Sequence, residues 1–179
     1  MIITIAGTPG SGKSTVAKLL AKQLKLKHYS AGDFMREIAK ERKISLETLQ
    51  KQAEHDHGDI DREIDLRTKK LGVAKDNFVI DGRLAWHFIP KSKKIFLDVE
   101  LATGARRIFL QERSDEHSKE YLEAVNKVKK RIASEQERYK KYYGIEPYNP
   151  KHFDFVIDTT ERTPEEVVDE IIQWLDHGK

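Results

Sequence analysis

Residues 2–14 read IITIAGTPGSGKS, and this stretch decides the fold of the chain. Its first five residues, Ile2–Ala6, are mostly β-branched and apolar on both faces, which is typical of a strand buried inside a parallel sheet. After the glycine-rich turn the period changes, because Val16, Leu20 and Leu24 recur at every fourth position, as in an amphipathic helix. The sequence therefore predicts a buried strand, a tight turn and a helix.

The turn fits the pattern G-x-x-x-x-G-K-[ST], in the strand-turn-helix context that a phosphate-binding loop requires. Its glycines allow the backbone to wrap around an anion, which exposed amide N–H groups and the positive end of the helix attract. Lys13 would add a charge between the β- and γ-phosphates, and the Ser14 hydroxyl would ligate Mg²⁺. The residues expected around the donor nucleotide are Gly7, Thr8, Pro9, Gly10, Ser11, Gly12, Lys13, Ser14 and Thr15. The pattern leaves open whether the phosphate goes to water, to an alcohol or to another phosphate.

Three further apolar runs and one short polar segment, Lys27–Ser30, predict strands separated by helical sequence. The apolar runs are Phe78–Asp81, Ile95–Val99 and Phe155–Asp158. This alternation predicts an α/β fold with three layers, in which helices cover both faces of a five-stranded parallel sheet. The last helix has the clearest start, with Thr163 as N-cap, Pro164 at the first helical position and Glu166 completing a capping box.

Two intervals between strands are too long for single crossover connections. Residues 33–76 and 101–152 carry helical, polar sequence, and such excursions usually form a substrate-binding flap or a lid. The second interval contains a charged region, about 111–120, that leads into a predicted long helix over 118–143. We therefore expect one domain with a core of residues 1–32, 77–110 and 140–179 and two helical outgrowths.

The composition excludes several classes of protein. Without cysteine the chain has no disulfide framework, no thiolate zinc site and no cysteine nucleophile. The 33 lysines and arginines nearly balance 30 acidic residues, which argues against nucleic-acid binding. The apolar runs are too short for a transmembrane helix, and Met1 leads directly into a strand rather than a signal peptide. We expect a cytoplasmic monomer that binds neither nucleic acids nor membranes.

Two segments that follow strands predict an acceptor site beside the glycine-rich loop. Residues 30–36 follow the second strand and residues 81–83 the third, and the carboxyl ends of parallel strands meet at one edge of the sheet. Arg36 would point toward a second anion, Asp81 would hold the water shell of magnesium, and Arg83 would clamp a phosphate. The expected acceptor residues are Ser30, Gly32, Asp33, Arg36, Asp81 and Arg83. A solvated helix residue remains the alternative for Arg36, and an exposed turn residue for Arg83.

The second outgrowth is rich in arginine, with Arg106, Arg107, Arg113, Arg131 and Arg138. Arg131 and Arg138 are seven positions apart on the predicted long helix and therefore share a face. Arginine at this spacing suggests anion recognition, although a solvated face is the alternative for most charges of this helix.

Taken together, these motifs resemble a nucleoside monophosphate kinase over essentially the whole chain. They are residues 7–15, 30–36 and 81–83, the arginine-bearing lid and the final strand ending at Thr159. Arg83 follows Gly82 directly, as in the cytidylate kinase branch, whereas adenylate kinases usually place an aromatic residue and a proline between the two. The sequence DGRLAWH, residues 81–87, is most similar to the archaeal type of cytidylate kinase.

The resemblance implies transfer of phosphate from ATP, with Mg²⁺, to CMP and to dCMP. Lys13 would cradle ATP, Arg36 and Arg83 would hold the acceptor phosphate, and Asp33 would lie near the acceptor. The arginines expected to close over the transferred group are Arg107, Arg113, Arg131 and Arg138, the first two on the donor side. Lys13, Arg83, Arg131 and Arg138 would be the catalytic residues. Residues 33–76 would be the NMP-binding outgrowth and about 111–120 the lid.

Three alternatives remain open from the sequence. The first is an AMP-directed kinase of the same class, and the second is a small-metabolite kinase with Asp33 as base. The third is a nucleotide-switched RNA-binding protein, which the balanced charge disfavours.

Three other groups of residues carry functional side chains outside these motifs. The histidine- and carboxylate-rich residues 54–61 are interpreted as a solvated helix junction rather than a metal site, with Asp61 and Asp65 able to reach the acceptor base. Trp86 and His87 either line the acceptor pocket or pack in the core. Trp174 and the tyrosines at 139, 142 and 143 are interpreted as packing residues.

Overall fold

The computed structural model describes residues 1–53, 58–112 and 118–177. In chain order its strands are β1 (Ile2–Gly7), β2 (Lys27–Ser30), β3 (Phe78–Asp81), β4 (Lys93–Asp98) and β5 (Phe155–Asp158). Its α-helices are α1 (Lys13–Gln23), α2 (Ala31–Glu41), α3 (Leu46–Ala53), α4 (Asp59–Ala74), α5 (Ala85–Phe88), α6 (Leu101–Glu112), α7 (Ser118–Tyr143) and α8 (Pro164–His177). A short 3₁₀ turn, Pro150–His152, precedes β5.

The five strands form one parallel sheet in the order β2-β3-β1-β4-β5, which confirms the predicted fold class. The strand order reverses at β1, which lies between β3 and β4. A crevice therefore opens at the carboxyl end of β1, where ligands of such sheets bind. β4 begins at Lys93 rather than at the predicted Ile95, because Lys93 and Lys94 pair with Ile3 and Thr4 despite their charge.

Both faces of the sheet are covered. On one face, α1 and α8 pack on β1 and β4 around a core that includes Ile3, Leu20 and Ile171. On the other face, α2, α4 and α5 pack on β3 around Ile38, Ile80 and others. The burial of apolar surface on both sides makes the sheet a rigid support for the residues at its edge.

The start of α8 agrees with its predicted capping box. The backbone N–H of Glu166 donates to the Thr163 hydroxyl at 3.3 Å, and the backbone N–H of Thr163 donates to the Glu166 carboxylate at 2.8 Å. Trp174, farther along α8, stacks on Phe155 with ring centroids 5.0 Å apart, which agrees with its interpretation as a packing residue.

Helices occupy both long intervals of the sequence. α2, α3 and α4 lie between β2 and β3, and α6 and α7 lie between β4 and β5. Arg67 of α4 binds Glu41 of α2 at 2.5 Å and Glu63 of its own helix at 2.8 Å. These ion pairs join α2 to α4. Within the described ranges, every helix is too short or too polar to span a lipid bilayer.

α6 approaches the glycine-rich loop unusually closely through Gly104. A Cβ atom at Gly104 would lie 2.6 Å from the Pro9 carbonyl oxygen and 2.9 Å from Val99 Cγ1. A Cβ at Gly10 would lie 2.2 Å from the Gly104 carbonyl oxygen. Glycine at both positions is therefore required for the helix to support the loop.

We expect Gly104→Ala to lower the stability by about 2 kcal/mol, because overpacking exceeds the gain of about 1 kcal/mol in helix propensity. Thermal denaturation would measure the effect, and nucleotide protection against unfolding should weaken in parallel. Thr103→Ala, on the same helix, is the control and should be close to neutral. A Gly104→Ala protein as stable as the parent would show that the contact has no energetic weight.

Candidate active site

The glycine-rich loop presents an anion-binding cradle at the carboxyl end of β1. Gly10 and Gly12 have φ angles of 82° and 81°, a left-handed conformation that glycine adopts easily. Gly12 is the N-cap of α1 and provides no side-chain cap. The first amide groups of α1 therefore remain available for a phosphate.

Lys13 lies at the base of this cradle. Its Nζ donates to the carbonyl oxygens of Gly7 and Thr8, both at 2.9 Å. Burial of the ammonium group, reinforced by the nearby charges of Arg83 and Arg131, lowers the pKa of Lys13 to about 8. The lysine is thus held in a region of accumulated positive charge, where a phosphate group would relieve the repulsion.

A cleft of about 730 Å³ extends from the loop between α6 and the start of α8. Arg107 of α6 and Arg131 of α7 line it together with the loop. The Arg107 guanidinium donates to the carbonyl oxygens of Thr159 at 2.7 Å and Thr160 at 3.1 Å. Its planar group is therefore held at the wall of this donor cleft.

A second cleft, of about 290 Å³, opens between β3, α2 and α4. Its polar lining includes Lys13, Asp61, Asp65, Thr68, Asp81, Arg83, Arg131 and Tyr139. Gly32 also lines this acceptor cleft. Lys13 and Arg131 line both clefts, so the two meet at these side chains.

Asp81 lies at the end of β3, where two side chains bind its carboxylate. Ser14 Oγ donates to Asp81 Oδ2 at 2.7 Å, and His28 Nε2 lies 2.6 Å from Asp81 Oδ1. Among the described residues no group of three or more potential ligands could hold a metal alone. One hydroxyl beside one carboxylate fits Mg²⁺, which keeps several waters and takes phosphate oxygens as further ligands.

Glu135 of α7 joins two of the predicted arginines and was missed by the sequence analysis. Its carboxylate is buried, with 4% of the side chain exposed, and Oε1 lies 2.9 Å from Nε of both Arg83 and Arg131. The Tyr148 hydroxyl donates to Oε2. Its position four residues after Arg131 was a local signal, but the contact with Arg83 requires the fold.

Asp61 and Asp65 face the acceptor cleft from α4. Arg138 Nη1 lies 3.0 Å from Asp61 Oδ2, and the Tyr143 hydroxyl donates to Asp65 Oδ2 at 2.6 Å. Burial raises the pKa of Asp65 to about 6. Arg138 therefore lies behind Asp61 and is absent from the described lining of both clefts.

Comparison with known proteins agrees with this geometry. The profile of the cytidylate kinase-like family matches residues 2–161. A cytidylate kinase of Sulfolobus acidocaldarius is 40% identical, with 96% of this chain and 92% of that protein covered. A cytidylate kinase of Methanocaldococcus jannaschii is 38% identical, with 100% and 99% covered.

The chain belongs to the cytidylate kinase-like family. It is a nucleoside monophosphate kinase, as the sequence resemblance implied. A solved protein from Eubacterium ventriosum (TM-score 0.73, 23% identity, 98% of both chains) and a shikimate kinase from Bacteroides thetaiotaomicron (TM-score 0.66, 16% identity, 98% of both chains) share the fold.

Several residues predicted for the kinase site are not among the described lining residues of the two clefts. Arg36 is exposed and pairs with Asp33, and neither is among the described lining residues. Ser30 Oγ accepts from the backbone N–H of Asp33 at 3.0 Å, so this pair also caps α2. Arg113 lies outside the described residues, as do residues 54–57 of the predicted helix junction.

The aromatic residues near Arg83 serve mainly to pack the core. Trp86 is buried and stacks on His152 with ring centroids 4.7 Å apart, so it packs in the core. Its Nε1 donates to the Arg83 carbonyl oxygen at 3.0 Å and thereby holds the backbone of that residue. Tyr139 both packs and lines the acceptor cleft.

The lowered pKa of Lys13 predicts an alkaline limit of nucleotide binding. In the free enzyme Lys13 loses its charge as the pH rises through about 8, and the donor phosphates then lose one attractive charge. We expect kcat/KM for the donor nucleotide to fall above pH 8, and calorimetry in two buffers should detect proton uptake on binding near that pH. A flat profile up to pH 10 would contradict the buried position of the ammonium group.

The raised pKa of Asp65 predicts that this side chain opposes folding at neutral pH. The unfolded chain ionises Asp65 near pH 3.8 and the folded protein near pH 6, so stability falls as the pH rises between those values. Asp65→Asn keeps an acceptor for Tyr143 and should be more stable than the parent above pH 6, by about 3 kcal/mol. Denaturant unfolding at pH 4 and 7.5 measures the difference, which should nearly vanish at pH 4.

Proposed function

We propose that this enzyme transfers the γ-phosphate of ATP to CMP, and also to dCMP, to form the diphosphate in a single in-line step. The observation that supports this most strongly is that Lys13 and Arg131 line both clefts. A donor phosphate in the glycine cradle and an acceptor phosphate beside Arg83 would then meet at the same cationic side chains. Such an arrangement suits an acceptor that is itself a phosphate.

The proposed chemistry needs no general base. The attacking oxygen of a monophosphate is already anionic, so the main barrier is repulsion between two negative groups. Lys13, Arg83 and Arg131 would offset this repulsion and align the groups for attack. Bound Mg²⁺ would supply further positive charge, held by the Ser14 hydroxyl and, through water, by Asp81.

The remaining arginines are proposed to complete the site around the nucleotides. Arg107 would contact the donor phosphates from the wall of its cleft, and Arg113 would approach from the lid when this closes and excludes water. Arg36 would leave Asp33 for the acceptor phosphate, since a doubly charged anion competes well with an exposed carboxylate. Arg138 would act through Asp61.

The acceptor cleft contains a feature that favours cytosine over uracil. Asp61 and Asp65 line the cleft, and the exocyclic amine of cytosine is a hydrogen-bond donor where uracil has a carbonyl. A carboxylate therefore binds the first and repels the second. Ionised Asp65 lowers the stability of the folded protein, and recognition of the base by this side chain would explain why an aspartate occupies the position.

The competing activity on a hydroxyl acceptor finds less support. Asp33, the only base proposed for it, binds Arg36 and accepts a hydrogen bond from Ser30 Oγ at 2.8 Å. We also propose that the enzyme acts as a cytoplasmic monomer on small nucleotides, without a nucleic-acid or membrane partner.

The test is a coupled assay of ADP release with Mg-ATP and a panel of CMP, dCMP, UMP, AMP and shikimate. CMP should give the highest kcat/KM and UMP a much lower one. Lys13→Ala and Arg83→Ala should each reduce kcat by about 10³-fold without unfolding the protein. Lys18→Ala, an exposed lysine of the same helix as Lys13, is the matched control and should leave turnover unchanged. Turnover of AMP or shikimate above that of CMP would refute the proposal.

A further inference from the structure

We propose that Glu135 is a positioning residue, which holds the guanidinium groups of Arg83 and Arg131 together at the junction of the donor and acceptor clefts. The inference rests on the proposed function only in that phosphate passes between these clefts. It does not depend on which base the acceptor carries.

The contacts that support this role involve one carboxylate and three chain segments. Oε1 of Glu135 lies 2.9 Å from Nε of Arg83, which follows β3, and accepts from Nε of Arg131, one turn earlier on α7, at the same distance. Oε2 accepts from Tyr148, which precedes β5. Both oxygens are engaged, so the carboxylate is fixed in orientation.

Electrostatics explains why the two arginines require such a partner. Arg83 and Arg131 converge on one oxygen atom, and Lys13 is close enough for both to lower its pKa. Like charges at this spacing repel strongly in a partly buried site. The negative charge of Glu135 offsets that repulsion before any phosphate arrives, which keeps the three cations together in the free enzyme.

The atoms involved also leave the arginines able to act. Glu135 contacts each guanidinium at Nε rather than at a terminal nitrogen, and the Arg83 guanidinium also hydrogen-bonds Tyr139. A contact at Nε restricts rotation of the guanidinium, so its terminal nitrogens are oriented before a phosphate binds. Preorganised charge of this kind lowers the activation barrier rather than strengthening the binding of the substrate.

If Glu135 positions the arginines, its loss should change kcat and affinity differently. A purely structural ion pair would not produce this difference. In Glu135→Gln the volume and one acceptor oxygen remain, but the negative charge is lost. The site then becomes more attractive to phosphate while the arginines lose their fixed aim. The maximal rate should therefore fall while nucleotide affinity holds or increases.

The experiment measures kcat, KM and the equilibrium Kd of the monophosphate, by calorimetry, in Glu135→Gln. We expect kcat to fall about 100-fold, with KM and Kd within threefold of the parent or lower. Tyr148→Phe keeps the charge of Glu135 and removes one of its anchors, and should lower kcat severalfold in the same pattern. It also tests the inference if Glu135→Gln folds poorly.

Glu63→Gln is the matched control. Glu63 is likewise a carboxylate that binds two arginines, Arg42 at 2.6 Å and Arg67 at 2.8 Å, but it is absent from the described lining of both clefts. Its variant should keep the parent kcat even where its melting temperature falls.

Two results would overturn the inference. One is a Glu135→Gln enzyme with kcat within threefold of the parent, whatever its melting temperature, which would make the residue structural. The other is a large rise in KM and Kd at an unchanged kcat, which would mean direct contact with the substrate. All comparisons use the monophosphate that the parent converts best, so a failure of CMP as substrate would be seen separately.

Discussion

Positive charge gathered at one point of the sheet edge is the constraint on which the rest of the structure depends. Lys13 begins α1, Arg83 follows β3 and Arg131 lies on α7, and the fold brings the three together despite their mutual repulsion. The parallel sheet, covered on both faces, positions Lys13 and Arg83 at its edge, and the Glu135 carboxylate offsets the repulsion by contacting Arg83 and Arg131. The fold therefore holds mutually repelling positive charges at the place where the two phosphate-bearing nucleotides would meet.

The same reasoning explains features that lower stability. Ionised Asp65 and the desolvated ammonium of Lys13 both oppose folding at neutral pH. Elsewhere, in the two core clusters and in the pairing of α2 with α4, side chains are matched to their surroundings. Unfavourable groups thus concentrate around the clefts, as expected where binding rather than stability determines the residue.

Much of the fold could be predicted from the sequence, because its signals are local. The glycine-rich turn after β1 and the capping box of α8 depend on residues within a few positions of each other. The start of β4 was displaced, since its first two residues are lysines, which pair with β1. Hydrophobic patterning cannot detect such pairing.

The site was predicted less completely, because its geometry depends on residues that are distant in sequence. His28 beside Asp81 and Glu135 beside Arg83 come together only when strands and helices are assembled. Arg138 was predicted from its spacing to share a face of the helix with Arg131, but its guanidinium binds Asp61 rather than Glu135. The residue types alone indicated that the site binds anions, whereas the partner of each charged side chain could be identified only from the tertiary structure.

The close approach of Gly104 to Pro9 has a mechanical consequence. Backbone atoms of the two segments approach directly here, because a Cβ atom at Gly104 would lie 2.6 Å from the Pro9 carbonyl oxygen, so a displacement of the loop would also displace the start of α6. A helix of this length is a stiff rod of roughly 18 Å. Through this contact, a shift of the cradle would also move Arg107, which α6 holds at the wall of the donor cleft.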